Sequence, residues 1–144
     1  MKAGVIVGRF QVPYLHPGHL HLIATVLREC DFVIILLGTS KGVNDKNPYS
    51  VTQRVEMIQK IFPQVHIKPL PDQDSDEEWS QQVDLSIAYV YDMEEIYLSD
   101  TTLYHSRDSF VNAYSGKYPT KEIPEIPGFS GTQLRNDLKN KTNV

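Results

Sequence analysis

Apolar residues in this chain fall into two kinds of segment: short unbroken runs, and longer amphipathic stretches in which apolar and polar positions are mixed. Ala3-Gly4-Val5-Ile6-Val7 and Phe32-Val33-Ile34-Ile35-Leu36-Leu37 are of the first kind, Leu20 to Leu27 and Val51 to Phe62 of the second. Short runs read as strands and the longer stretches as helices, so the chain opens as βαβα. Val65 to Lys68 is expected to form a third strand, Glu78 to Tyr91 a third helix, Glu95 to Leu98 a fourth strand and Lys121 to Ile123 a fifth. Phe32 to Leu37 shows no alternation, which is the pattern of a strand covered on both faces. The expected fold class is therefore α/β: a Rossmann-like, doubly wound parallel sheet with helices on both sides, forming a single domain over residues 1–144.

Composition narrows the function classes. A chain of 144 residues has room for one core, and a formal net charge of -4 offers no global basic field for a polynucleotide. Cys30 is the only cysteine, so an internal disulfide and a cysteine-based zinc site are both excluded, and a reducing compartment is expected. No apolar segment reaches membrane-spanning length and no secretory pattern precedes the first strand, so the expectation is a cytoplasmic protein with neither a membrane nor a nucleic-acid partner. The acidic stretch Asp72 to Glu78 reads as a solvated loop entering a helix.

Candidate chemistry concentrates between the first strand and the first helix, in Gly8-Arg9-Phe10-Gln11-Val12-Pro13-Tyr14-Leu15-His16-Pro17-Gly18-His19. A doubly wound sheet places its ligand loop there. Neither G-x-G-x-x-G nor G-x-x-x-x-G-K-[ST] occurs, so a dinucleotide-binding dehydrogenase and a P-loop NTPase lose their main support. Two imidazoles at a helix entrance, with Arg9 nearby and Gly18 letting the backbone come close, form a compact donor set for a triphosphate. A zinc site is disfavoured because no third ligand is suitably spaced. His21 points elsewhere on its helix, and His66, in a strand, and His105, in a polar loop, are taken as non-catalytic. Ser50 with Gln53, and Ser130 with Gln133, form capping-box signatures followed by Arg54 and Arg135. Helix starts of this kind also suit phosphate.

A glycine after the first strand, His16-Pro17-Gly18-His19 heading the first helix and Ser130-Gly131-Thr132-Gln133-Leu134-Arg135 near the C-terminus together resemble the His-x-Gly-His nucleotidyltransferase superfamily. Within it the chain is most similar to archaeal-type nicotinamide-mononucleotide adenylyltransferases and to the matching domain of bacterial enzymes fused to a Nudix hydrolase. The further shared features are Gly8 to Gln11, Lys46 to Ser50 followed by Gln53-Arg54, and Pro69-Leu70-Pro71-Asp72 followed by Trp79. The loop between Gln11 and His16 is two residues longer than in that family, and Asp100 to Pro127 departs from it; a fused hydrolase activity is not expected.

The resemblance implies that ATP and nicotinamide mononucleotide give NAD and pyrophosphate. It assigns His16, His19 and Arg135 to catalysis, and Gly8, Arg9, Phe10, Gly18, Ser130 and Thr132 to the nucleotide. Asn47, Arg54, Asp72 and Trp79 fall to the acceptor, with Trp79 stacking on the nicotinamide. Mg²⁺ would be bound mainly through substrate phosphates, and no protein ligand is named for it. Homo-oligomer formation is a further expectation from the resemblance. Two alternatives stay open: a superfamily enzyme with another phosphate acceptor such as phosphopantetheine, FMN or glycerol phosphate, and a nucleotide-binding module without turnover.

Overall fold

The computed structural model describes residues 1–40, 43–97, 100–107 and 109–125. In chain order the elements are β1 (Lys2–Gly8), α1 (Pro17–Glu29), β2 (Phe32–Thr39), α2 (Val51–Ile61), β3 (His66–Pro71), α3 (Asp76–Met93), β4 (Asp100–His105), a 3-10 turn (Phe110–Asn112) and β5 (Thr120–Glu122). The strands form one sheet in the order β3-β2-β1-β4-β5, and every pairing is parallel. The doubly wound expectation is met.

Alternation along the central strands distributes the core to two faces. Ile6, Ile35, Leu37 and Tyr104 meet Leu22, Ile23 and Val26 of α1 and Ile58 of α2, whereas Val5, Ile34, Leu36 and Leu103 meet Val83, Ile87 and Val90 of α3. Each such side chain contributes about 1.5–3 kcal/mol by leaving water. Cys30 packs in the first of these clusters, its thiol donating to the Tyr104 hydroxyl at 3.4 Å. Because α1 and α2 cover one face and α3 the other, the chain switches sides between β1 and β4. A crevice at the carboxyl ends of those strands is the ligand position of this architecture.

Three expectations about elements need correction. The third strand extends to Pro71, because β3 is an edge strand and tolerates Pro69 and Pro71, which lack an N–H. Glu95 to Tyr97 do not form the fourth strand, and Leu98 lies outside the described residues. There α3 ends in a Schellman turn: Glu95 adopts φ 56°, its N–H bonds Asp92 O at 3.3 Å, and Ile96 N–H bonds Tyr91 O at 2.8 Å. The strand that pairs with β1 starts instead at Asp100 and ends at His105, so His105 is a strand terminus and not a loop residue.

Candidate functional site

The loop leaving β1 enters α1 through His16, whose imidazole is the helix cap. Its Nδ1 accepts from the backbone N–H of Gly18 at 3.1 Å and His19 at 3.4 Å, and Pro17 takes the first helical position. An Nδ1 that accepts carries no proton, so in the neutral ring the proton sits on Nε2. Gly18 is required for close approach, since a Cβ there would lie 2.9 Å from the His16 ring.

His19 stacks on His16 with ring centroids 3.6 Å apart, and Phe10 packs obliquely on it at 5.0 Å. Burial first, and the neighbouring His16 second, lower the His19 pKa to about 4, so the ring is neutral at pH 7. Its Nδ1 is buried with no protein partner. Phe10 is held at φ 51° with its side chain buried, and a Cβ on Gly8 would come within 2.9 Å of its ring. A bulky residue in the left-handed region is strained, and the strain is local to the site.

Arg9 projects from the same loop and joins two distant segments. Its guanidinium forms an ion pair with Asp72, just past β3, and reaches Asn47 Oδ1 at 3.4 Å. Arg54, by contrast, is buried. Nη1 donates to the carbonyls of Arg9 (2.8 Å) and Gly38 (2.7 Å), and Nε to Ser50 (3.2 Å). It straps the β1 loop to the end of β2 and the start of α2. Gln11 adds a reciprocal pair with the backbone of Tyr49, accepting at 2.9 Å and donating at 3.0 Å. The Ser50–Gln53 capping box is formed. These links bring Gly8 to Gln11 and Lys46 to Arg54 together, a pairing that residue types alone do not reveal.

On the α3 side the crevice is aromatic. Trp79, in the first turn of α3, is half-buried and lies 6.1 Å from Phe110 and 6.5 Å from Tyr114, while His105 meets Phe110 edge-on at 6.0 Å. Tyr114 donates to Asp84 at 2.5 Å, and Ser80 bridges Asp76 and Ala113 carbonyls, fastening this turn to α3. Sequence reasoning misses Phe110 and Tyr114 as neighbours of Trp79, and His105 beyond Phe110, because the displaced fourth strand hides that His105 ends a strand beside β1. The structure thus gathers Arg9, Asn47 and Asp72 in one place, His16, His19, Phe10, Gly8 and Gly18 in another, and Trp79 in a third. Ser130, Thr132 and Arg135, with the Ser130–Gln133 box, lie outside the described residues.

Residues 5–137 match the family described as Cytidylyltransferase-like. A nicotinamide-nucleotide adenylyltransferase of Methanolobus tindarius is 28% identical over 146 residues, which is 96% of this chain and 78% of the relative. Another, from Caldivirga maquilingensis, is 32% identical over 91 residues, 58% of this chain and 50% of the relative. Among solved structures, a bifunctional NMN adenylyltransferase/ADP ribose pyrophosphatase of Francisella tularensis, complexed with AMP and a manganese ion, superposes with a TM-score of 0.72 at 25% identity. That match covers 96% of this chain and 42% of the Francisella chain. The chain therefore spans about half the length of the Caldivirga relative and less than half of the Francisella protein.

Proposed function

Because this chain belongs to the cytidylyltransferase-like family, we propose that it is a nucleotidyltransferase that joins the AMP moiety of ATP to nicotinamide mononucleotide, giving NAD and pyrophosphate. The observation that carries this reading is the stacked His16–His19 pair at the N-terminus of α1, beside Gly8 at the carboxyl end of β1. The positive end of the α1 dipole and the two imidazoles converge there on the place where a phosphate chain would lie. The similarity to named nicotinamide-nucleotide adenylyltransferases supports the choice of acceptor.

In this mechanism an oxygen of the acceptor phosphate attacks the α-phosphorus of ATP in line. The bond from that phosphorus to the bridging oxygen of the β-phosphate breaks, and pyrophosphate leaves with the electron pair. No covalent enzyme intermediate is required, so the protein's part is orientation and charge stabilisation. His16 and His19 donate to the α- and β-phosphates. Arg9 serves the nucleotide, and Asn47 and Asp72, which it already touches, set the acceptor side. Arg54 acts through the loop it holds, its Nε and Nη1 donors being used on the Ser50, Arg9 and Gly38 carbonyls. Ser130, Thr132 and Arg135 complete the triphosphate site.

The divalent cation enters as part of the substrate. It would be carried as MgATP, with phosphate and water oxygens supplying most of its ligands. Among the described residues no three His, Cys, Asp or Glu side chains come together in a way that could hold a metal ion. Among the same residues no helix is long and apolar enough to cross a membrane.

The test is pyrophosphate release from ATP or CTP, each paired with nicotinamide mononucleotide, phosphopantetheine, FMN and glycerol phosphate. Release from ATP and nicotinamide mononucleotide, with NAD as co-product, is the expected result. Turnover of a different pair would keep the family and replace the acceptor, and no turnover with any pair would favour a nucleotide-binding module.

A further inference from the structure

His105 is the last residue of β4, beside β1, and faces the side of the sheet that carries α3. The neighbouring register fixes that side: Leu103 packs toward α3 and Tyr104 toward α1, so His105 returns to the α3 face. It is 8% exposed, and its ring meets Phe110, which in turn meets Trp79. Its Nδ1 lies 3.1 Å from the carbonyl of Ser106. A carbonyl can only accept, so Nδ1 is the donor and the neutral ring keeps its lone pair on Nε2. No protein hydrogen bond occupies Nε2 among the described residues, nor is that atom sealed off as the orphaned Nδ1 of His19 is.

An acceptor without a protein partner, at the strand end where the crevice opens and one ring away from Trp79, asks for a ligand N–H. We propose that His105 is a specificity-determining residue that reads the carboxamide of the acceptor's pyridine ring, accepting from its NH₂ and disfavouring the deamidated, carboxylate form. This rests on the function proposed above. A carboxylate has only acceptors to offer, so it would set lone pair against lone pair where the carboxamide makes a hydrogen bond. Trp79 supplies flat area that either form can use. His105 supplies the choice between them.

The experiment compares kcat/KM for nicotinamide mononucleotide and for nicotinic acid mononucleotide, with ATP saturating, in the wild type, His105→Phe and His105→Gln. The wild type should favour the amide. His105→Phe keeps a ring against Phe110 and removes the acceptor, so the amide-to-acid ratio should fall about tenfold, through a higher KM for the amide. His105→Gln can turn either its carbonyl or its NH₂ toward the ligand, so KM for the amide should stay near the wild-type value while use of the acid improves. KM for ATP should not move in either variant. A merely structural His105 would lower the melting temperature and leave the ratio intact. Should His105→Phe fail to fold, His105→Gln decides alone. A ratio unchanged within about twofold, or a wild type indifferent to the two forms, overturns the assignment of His105. A wild type that makes no NAD from ATP and nicotinamide mononucleotide overturns the function itself, and the assignment with it.

Discussion

The two sides of the crevice are built from different materials. Toward α1, short directional bonds end largely on backbone: His16 on two N–H groups, Arg54 on three carbonyls and Gln11 on both polar groups of Tyr49. Toward α3, rings meet rings at 6.0–6.5 Å, and polar groups serve mainly to fasten the turn that carries them. Directional networks fix the positions of donors, which charge stabilisation of a transferring phosphorus requires. Aromatic clusters offer area that tolerates small displacements, which suits the holding of a flat base. The contrast teaches that rate should be sensitive to the α1 side and acceptor affinity to the α3 side.

The largest effect should come from breaking the α1 side at its reacting end. His19→Ala is expected to lower kcat by on the order of a hundred-fold or more, the usual cost of removing one donor to developing charge. A melting curve taken alongside separates lost chemistry from lost stability, because the ring is partly buried in its stack. Near wild-type turnover would remove His19 from the chemistry. Arg54→Ala attacks the same side from beneath. Leaving the Arg9, Gly38 and Ser50 carbonyls without this donor should destabilise the fold by about 2–3 kcal/mol, measured by urea denaturation. If stability is unchanged and only the KM for the acceptor rises, Arg54 contacts substrate phosphate and does not act as a strap.

How much of this is legible in the sequence differs between the sides for a physical reason. The βαβα opening and the α1 helix start are written in local patterns, namely unbroken apolar runs and a Pro-Gly helix entrance. Even so, the role of Arg54 as a strap is invisible locally, because its partners lie 16 and 45 residues away. On the α3 side the local signal misleads. Ile96-Tyr97-Leu98 imitates a strand, while the true strand hides Thr101 and His105 among its buried positions. Thr101 can be buried because it pairs with the Tyr91 hydroxyl of α3, a tertiary contact that no window of sequence contains. Trp79 is readable as a strand-exit aromatic, yet its neighbours Phe110 and Tyr114 come from a segment without helical or strand periodicity.

The α3 side can be tested at its largest ring. Trp79→Ala should raise KM for nicotinamide mononucleotide by an amount equivalent to roughly 1–3 kcal/mol, the usual worth of base–aromatic stacking, with little change for ATP. Titrating the acceptor should quench the fluorescence of this sole tryptophan. Because Trp79 also packs against Phe110 and Tyr114, some loss of stability is expected in any case. What decides is the pairing of readouts: lost stability with unaltered acceptor KM and no quenching would leave Trp79 a packing residue and would blur the division of labour between the sides.

The last expected effect concerns acid stability and returns to the α1 side. His19 has a pKa of about 4 in the fold, lowered from 6.5 by burial and then by His16. Between those values the unfolded chain binds a proton that the folded chain refuses, so stability is complete above pH 6.5 and declines as pH falls toward 4. Other groups titrate in the same window, so the informative quantity is the difference between wild type and His19→Asn, which cannot take up that proton. The variant should start less stable at pH 7.5 and lose less on acidification, so the two stability curves converge between pH 6.5 and 4. Parallel curves would mean that water reaches the His19 ring in solution. The compact, desolvated stack of Phe10, His19 and His16, on which the directional character of this side depends, would then be looser than its 3.6 Å and 5.0 Å ring separations imply.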